Sequence, residues 1–259
     1  MHTMRKIIKL IPGARPAASA FRRSVLVLTR LVAGPSQAEL AKQYDLETFE
    51  VIARVLLPGS SAIDVGANKG EILAHIVRCA PLGQHWAFEP VPSLAAHLKD
   101  RYPMVSVLPY ALAEISGRTR FYVAKHDQAY SSLENRDPAL LNRIGLHDTS
   151  MEVIDAEVRG LDDVIPESAL ITLIKIDVEG AEVRTIAGAL GTIDRCKPIV
   201  LFEAGYYTED RARELFEMFR SCGLHVSLMS RWLCRKPSPQ SFGEFLKIAK
   251  RHYFFIAHP

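Results

Sequence analysis

Residues 61–70 join a short apolar run to a glycine-containing turn, and an acid follows in the chain at a characteristic distance. Gly66 and Gly70 allow the backbone to bend tightly and to approach a ligand, and a helix-forming stretch comes directly after them. Glu89 lies nineteen residues beyond Gly70, at the end of the next apolar run. An acid there is well placed to accept hydrogen bonds from both hydroxyls of a ribose. The pattern therefore predicts a strand–turn–helix unit that binds an adenosine.

The spacing of the turn and the acid before it narrow the choice of cofactor. The turn reads Gly66-Ala-Asn-Lys-Gly70, which differs from the three-glycine turn of a pyrophosphate site. Asp64 would repel a pyrophosphate but suits an ammonium group. S-adenosylmethionine carries an ammonium, a sulfonium and a ribose diol. We therefore predict this cofactor, bound by Asp64, by Gly66, Asn68 and Gly70 of the turn, and by Glu89.

Strands and helices are predicted to alternate from residue 62 onwards, which calls for a doubly wound α/β fold around a mostly parallel sheet. Apolar runs predict seven strands, with an inserted hairpin strand at 118–124. Residues 125–160 read as a long irregular stretch, and connections of that length in a compact domain are more often functional than idle. Residues 230–251 read as a polar connection.

Acids stand at the ends of four predicted strands: Asp64, Glu89, Asp177 and Glu203. In open parallel sheets, ligands bind outside the carboxyl ends of the strands, so these four carboxylates should converge on one crevice. Such a set is more than the usual solubilising surface charge and predicts a functional site.

The chain resembles the FkbM-type methyltransferases, a family of S-adenosylmethionine-dependent class I enzymes that act mainly on hydroxyl oxygens. The resemblance depends on seven motifs in the family's order: Ile63-Asp-Val-Gly-Ala-Asn-Lys-Gly70, Phe88-Glu-Pro90, Tyr110-Ala-Leu-Ala-Glu-Ile-Ser-Gly117, Ser131-Ser-Leu133, Leu161-Asp-Asp163, Ile174-Lys-Ile-Asp-Val-Glu-Gly-Ala-Glu182 and Phe202-Glu203. Each motif alone is weak, but the ordered set is specific. The resemblance implies a Rossmann-like fold with helices on both faces of a seven-stranded sheet whose last strand is antiparallel.

The resemblance also implies roles for individual residues. Asp64 and Gly66 would hold the methionine part of the cofactor and Glu89 the ribose hydroxyls. Ala111 and Leu112 would flank the adenine. Ser131 stands in the family's serine motif, where its hydroxyl would bond the cofactor or orient the acceptor, although an ordinary loop serine is an equally good interpretation.

Methyl transfer to a hydroxyl requires a base, because the attacking oxygen must lose its proton. Asp177, Glu179 and Glu203 are the candidates. We expect no metal, since this acid spacing is poor evidence for a dedicated site. Glu182 is interpreted as a first-turn carboxylate that faces the positive end of a helix. Lys175 is expected to point to the other face of its strand and to take no part.

The first 38 residues hold seven Lys or Arg and no acid, whereas the whole chain carries a net charge of +3, so the remainder carries 3 − 7 = −4. We interpret residues 1–35 as a basic extension and 36–259 as the methyltransferase domain. The extension mixes its charge with apolar residues and could lie on an anionic membrane surface, act as a transit peptide, or do little by itself. It lacks the dense basic block that would predict nucleic-acid binding.

Four widely spaced cysteines argue against a disulfide scaffold or a zinc cluster and favour a reducing cytoplasm. The expected acceptor is a hydroxyl, and the resemblance suggests a sugar in a glycan, a glycolipid or a secondary metabolite. Two other functions stay open at this point. One is a pyridine-nucleotide oxidoreductase, which the turn spacing disfavours, and the other is a non-catalytic module that binds S-adenosylmethionine, which the four acids disfavour.

Overall fold

The computed structural model of the protein describes residues 37–124, 133, 151–204 and 208–259. The chain divides into two compact units, residues 1–45 and 46–259. Of the first unit only residues 37–45 are described, and they are helical. The predicted basic extension, 1–35, lies outside the described residues.

Nine helices are found in the described part of the chain: α1 (Gln37–Val55), α2 (Glu71–Cys79), α3 (Pro92–Arg101), α4 (Leu161–Val164), α5 (Glu182–Ala187), α6 (Leu190–Cys196), α7 (Glu209–Ser221), α8 (Met229–Leu233) and α9 (Phe242–Ala249). Ten strands accompany them there: β1 (Ser61–Val65), β2 (His85–Phe88), β3 (Ser106–Leu108), β4 (Tyr110–Leu112), β5 (Gly117–Ala124), β6 (Met151–Arg159), β7 (Ile171–Ile176), β8 (Ile199–Glu203), β9 (His225–Ser227) and β10 (Phe254–His258).

Seven of the strands form the main sheet, in the order β3-β2-β1-β7-β8-β10-β9. Pairing from β3 through β8 is parallel, whereas β10 is antiparallel to both β8 and β9. The predicted seven-stranded, mostly parallel sheet with an antiparallel last strand is confirmed. The carboxyl ends of β1, β2, β7 and β8 therefore meet at one edge of the sheet.

Helices cover both faces of this sheet, as the alternation of side chains along β2 shows. Trp86 and Phe88 belong to a buried cluster that also contains residues of α4 to α7. Ala87, which points the opposite way, packs with Leu73 of α2 and Leu98 of α3. Each face of β2 is thus buried under its own apolar layer.

A second, three-stranded sheet has the order β4-β6-β5. Strand β5 pairs with β6 in antiparallel fashion from Gly117↔Val158 to Ala124↔Met151, which confirms the predicted inserted hairpin strand. The expectation of an irregular stretch throughout 125–160 is wrong at its end, because residues 151–159 form β6. The alternation Val153, Asp155, Glu157 against Ile154, Ala156, Val158 is the sequence signal of a strand with one buried face.

The expectation of a polar connection at 230–251 is also wrong, because α8 and α9 lie there. Helix α9 begins after Ser241, whose hydroxyl accepts a hydrogen bond from the backbone N–H of Glu244. Phe245 lies with its ring centroid 5.5 Å from that of Phe216 in α7 and 5.2 Å from that of Phe255 in β10. These aromatic contacts bury one face of α9, so the segment is helical although many of its neighbouring residues are polar. Among the described residues, no helix has both the length and the apolar character needed to cross a membrane.

Candidate functional site

The loops that follow β1, β2 and β7 are joined by backbone contacts at the carboxyl edge of the sheet. The N–H groups of Gly66 and Ala67 both donate to the carbonyl of Phe88, at 3.0 and 3.2 Å. The N–H of Asp177 donates to the carbonyl of Val65 at 3.2 Å. Gly66 has φ +75°, and a β-carbon on it would lie 2.0 Å from the carbonyl oxygen of Asp177. Only glycine fits this position, and its absence of a side chain allows the loops to touch.

Asp64, near the end of β1, is completely buried. Neither of its carboxylate oxygens accepts a hydrogen bond from the described residues. Its nearest opposite charge is the ammonium of Lys175, with Nζ 3.6 Å from Oδ1. Burial raises the pKa of Asp64, and the positive charge of Lys175 opposes that rise. A buried carboxylate with unused acceptor capacity is suited to bind a donor that the protein itself does not supply.

The structure corrects the expectation for Lys175. Residues 175 and 177 are two apart, so the period-two alternation of a strand directs both side chains to the same side, and the expected opposite orientation is wrong. The Nζ atom lies 3.5 Å from Oδ2 of Asp177 and donates a hydrogen bond to the carbonyl of Gly66 at 3.1 Å. Lys175 therefore belongs to the site, and strand periodicity is the sequence signal that places it there.

Lys175 keeps its charge although its side chain is only 6% exposed. Burial lowers the pKa of Lys175. The negative charges of Asp177 and Asp64 raise it by more than burial lowers it, so the pKa lies above the ordinary value. A buried ammonium of this kind is stable only while its acidic partners remain ionised.

Glu89, just beyond β2, is 5% exposed and binds two backbone N–H groups. Oε2 accepts from Asn68 at 2.8 Å, and Oε1 accepts from Val91 at 2.9 Å. Burial raises the pKa of Glu89, and these two hydrogen bonds lower it. The carboxylate thus connects the turn after β1 to the start of α3, and each oxygen retains a lone pair for a ligand hydroxyl.

Besides Gly66, two more residues of the turn have positive φ. Asn68 has φ +46°, and its buried Oδ1 has no hydrogen-bond partner among the described residues. Gly70 has φ +81° and immediately precedes α2, and a β-carbon there would lie 2.6 Å from Cδ2 of Leu98. Both predicted turn residues therefore line a tightly constrained loop beside Glu89.

The predicted adenine-flanking residues lie in β4. Ala111 is buried in an apolar cluster with Val91, two residues from Glu89. Leu112 is buried in the main core, and its carbonyl accepts a hydrogen bond from Thr185 Oγ1 at 3.0 Å. These contacts bring Ala111 near the Glu89 side of the site. Ser131 lies outside the described residues, so its role stays a prediction.

Asp177, Glu179 and Glu203 are brought together as predicted, with carboxylate oxygens that all lie within 4.8 Å of one another. Glu179 has φ +55°, an uncommon conformation for a residue with a side chain, and Gly180 follows with φ +105°. Backbone strain of this kind is concentrated at functional sites. Acids that end apolar runs are the sequence signal for this cluster.

Glu182 holds the strained loop in place. It is 1% exposed, and its oxygens accept hydrogen bonds from the backbone N–H groups of Val178 and Gly180, each at 3.1 Å. It is the first residue of α5, as expected of a first-turn carboxylate. Its contacts add a second role, because they orient the loop that carries Glu179.

The acids at this edge differ in protonation. Burial raises the pKa of Glu203 to about 10, and the charges of Asp177, Glu179 and Glu182 raise it as well. At neutral pH Glu203 therefore carries a proton, which it can share with Asp177. Oxygens this close together could also bind a divalent cation, and the expectation that no metal takes part stays a prediction.

Sequence comparisons show which known proteins the chain is similar to. A family model described as "Methyltransferase FkbM domain" matches residues 64–226, more than half of the chain. The 2-O-methyltransferase NoeI of Sinorhizobium fredii (strain NBRC 101917 / NGR234) is 27% identical over 177 residues, which are 65% of this chain and 70% of that protein. The AMB antimetabolite synthetase AmbE of Pseudomonas aeruginosa is 28% identical over 264 residues, and the match covers 86% of this chain but only 12% of AmbE.

A solved structure similar to this chain is the methyltransferase FkbM from Methylobacillus flagellatus KT. It has a TM-score of 0.49 and 16% sequence identity, and the match covers 83% of this chain and 59% of that one. The family match extends from Asp64 in β1 to Val226 in β9, and so includes the whole carboxyl edge described above. It favours methyl transfer over the oxidoreductase alternative. The chain therefore belongs to the FkbM family of methyltransferases, as its motifs predicted, and it is a methyltransferase.

Proposed function

We propose that this protein transfers the methyl group of S-adenosylmethionine to a hydroxyl oxygen, and that the acceptor is a sugar of a glycan, a glycolipid or a secondary metabolite. The observation that carries the proposal is the pairing of two features at one sheet edge. Asp64 is a buried carboxylate without hydrogen bonds from the described residues, and the cluster of Asp177, Glu179 and Glu203 lies one strand away.

The residues present fit the proposed cofactor. Asp64 offers the ammonium of the cofactor a buried acceptor that has no hydrogen bond from the described residues. Gly66 has no side chain and so adds no atoms beside Asp64. Glu89 offers two oxygens to a ribose diol while the N–H groups of Asn68 and Val91 hold it in place. A pyrophosphate would instead meet the negative charge of Asp64. When bound, the cofactor would supply an electrophilic methyl group on a sulfonium.

Asp177 is the favoured general base. Its side chain is 34% exposed, so an acceptor hydroxyl can reach it, and the ammonium of Lys175 lies 3.5 Å from its Oδ2. Glu203 holds a proton at neutral pH, because its pKa is raised to about 10, and is therefore better suited to orient Asp177 than to accept a proton. A positioned base contributes about 100-fold to 10,000-fold to such a step. Alignment of the hydroxyl with the methyl group contributes as well.

Two observations support oxygen as the methylated atom. The relative NoeI is a 2-O-methyltransferase, and the resemblance to the family implies hydroxyl acceptors and suggests a sugar as their carrier. We expect residues 125–160 to contact the acceptor, and of these only 133 and 151–160 are described. Contact of the basic extension with an anionic membrane, the absence of nucleic-acid binding and a cytoplasmic location stay predictions.

Calorimetric titration with S-adenosylhomocysteine, with NADH in parallel, tests the cofactor. We expect micromolar binding of S-adenosylhomocysteine alone and loss of that binding in Asp64→Ala. Asp100→Asn, which changes an exposed acid on α3, is the matched control and should bind normally. Binding of NADH instead, or no binding of S-adenosylhomocysteine, would overturn the proposal.

Transfer of labelled methyl from S-adenosylmethionine to a panel of saccharides and glycolipids tests the reaction. Asp177→Asn should lower turnover by about 100-fold or more while S-adenosylhomocysteine binding largely survives. Normal turnover in both Asp177→Asn and Glu179→Gln would exclude the assigned base. The same assay with a chelator, and then with added Mg²⁺ or Mn²⁺, decides whether the acid cluster needs a divalent cation.

A further inference from the structure

A single ammonium group connects the cofactor end of the site to its catalytic end. Lys175 Nζ lies 3.6 Å from Asp64 Oδ1 and 3.5 Å from Asp177 Oδ2, and it also donates to the carbonyl of Gly66 at 3.1 Å. These three oxygens come from β1, the turn after β1 and the loop after β7. The side chain is 6% exposed, so water screens these contacts only weakly.

We infer that Lys175 is a positioning residue that holds Asp64 and Asp177 on either side of one ammonium and fixes their two loops against each other, so that one charge prepares both the ammonium-binding group and the base. The inference builds on the proposed function, because it assigns Asp64 to the ammonium of the cofactor. It adds a role for Lys175, which in the proposed function contacts neither the cofactor nor the acceptor.

The charge balance of the site explains why such a residue is needed. Among the described residues, the charged groups that face Lys175 and its partners are acidic: Asp64 on β1, Glu89 after β2, Asp177 and Glu179 after β7, Glu182 on α5 and Glu203 on β8. Asp64 and Asp177 repel each other, and this repulsion adds to the burial that raises the pKa of Asp64. Without the ammonium, the least costly response of the buried Asp64 carboxylate is to bind a proton. A protonated Asp64 can no longer attract a cationic group.

The pH dependence of S-adenosylhomocysteine binding tests this role, because it needs no acceptor. We expect the affinity of Lys175→Met to fall at least tenfold relative to the wild type at pH 6.5 and to recover towards the wild-type value by pH 8.5. At each pH, the dissociation constant of Lys175→Met is divided by that of the wild type. Titration of the ligand affects both constants equally and therefore cancels in this ratio. A merely structural defect would weaken binding by the same factor at every pH, and that result would overturn the inference.

Two further lysine variants serve as controls. Lys175→Arg keeps the positive charge and should retain a pH profile close to that of the wild type. Lys197→Met removes a lysine whose side chain is 43% exposed and whose partner is Asp194, at 2.5 Å, and it should leave the profile unchanged. If Lys175→Arg shifts the profile as much as Lys175→Met, charge is not the property that matters and the inference is wrong.

Asp64→Asn keeps the inference testable even if Lys175→Met does not fold. It removes the competing carboxylate and leaves Lys175 to Asp177 alone. The titration of the Lys175 ammonium, followed by nitrogen-15 NMR of Nζ, should move to lower pH, because the charge of Asp64 helps to raise the pKa of Lys175. An unchanged titration would show that the ammonium does not connect the two acids. Failure of the wild type to bind S-adenosylhomocysteine is a separate outcome, because it would contradict the proposed function while leaving this NMR shift intact.

Discussion

The carbonyl oxygen of Asp177 occupies the place that a side chain on Gly66 would need, with only 2.0 Å between that oxygen and a β-carbon built on the glycine. The contact joins the cofactor turn to the loop of the proposed base, and Gly66 also has φ +75°. We therefore expect Gly66→Ala to separate the loops, to lower the free energy of unfolding by about 3 kcal/mol or more, and to abolish measurable S-adenosylhomocysteine binding. Urea unfolding and calorimetry measure the two effects.

Gly243→Ala is the matched control for that substitution. Gly243 lies in α9, a β-carbon built on it would meet no atom of another element within 4 Å, and its φ is not in the left-handed region. Alanine should be neutral or stabilise the protein by up to about 1 kcal/mol, because it favours helix more than glycine does. Equal loss of stability in both variants would show that the contact between Gly66 and Asp177 is not the cause.

Glu89→Gln should weaken S-adenosylhomocysteine binding by about 10-fold to 100-fold. Glu89 accepts hydrogen bonds from the backbone N–H groups of Asn68 and Val91. A glutamine has one acceptor oxygen, so its NH₂ group would face one of these donors and the turn would move. Calorimetry measures the loss, and Glu71→Gln, which changes an exposed acid at the start of α2, should bind like the wild type. Unaltered affinity in Glu89→Gln would exclude Glu89 from the ribose site.

The sequence was sufficient to predict the central sheet and the acids at its edge, because apolar runs that end in Asp64, Glu89, Asp177 and Glu203 are local signals. It did not reveal the protonation of Glu203, since that depends on acids brought together from separate parts of the chain. Nor did it reveal that Glu182 binds the backbone of its own loop. Such properties arise from burial and contact, which spacing alone does not encode.

Glu182→Ala should lower the free energy of unfolding by about 2 to 3 kcal/mol. The substitution would leave the N–H groups of Val178 and Gly180 without their buried acceptor. Since this loop carries Glu179, methyl transfer should fall as well, whereas S-adenosylhomocysteine binding should change less. Chemical denaturation measures the stability.

Glu114→Ala is the comparison for Glu182→Ala. Glu114 pairs with Arg184 at 3.1 Å, but both side chains are more than a third exposed. Loss of this pair should cost less than about 1 kcal/mol. If the two variants were equally stable, the loop contacts of Glu182 would not matter for folding.

Glu203→Gln should stabilise the protein more at high pH than at low pH. In the folded state the pKa of Glu203 is raised to about 10, mainly by burial, whereas in the unfolded chain it is near 4.3. The folded state therefore holds a proton that the unfolded state releases as pH rises above that value. This group accordingly lowers the free energy of unfolding increasingly between about pH 4.3 and 10. Glutamine keeps the uncharged shape and removes the titration, so the gain of the variant over the wild type should be about 4 kcal/mol larger at pH 8 than at pH 5. Urea unfolding at the two pH values measures the difference, with Glu217→Gln on α7 as the control.

A gain in the free energy of unfolding that does not depend on pH would mean that Glu203 is not protonated in the folded protein. The assignment of Asp177 as the sole favoured base would then fail.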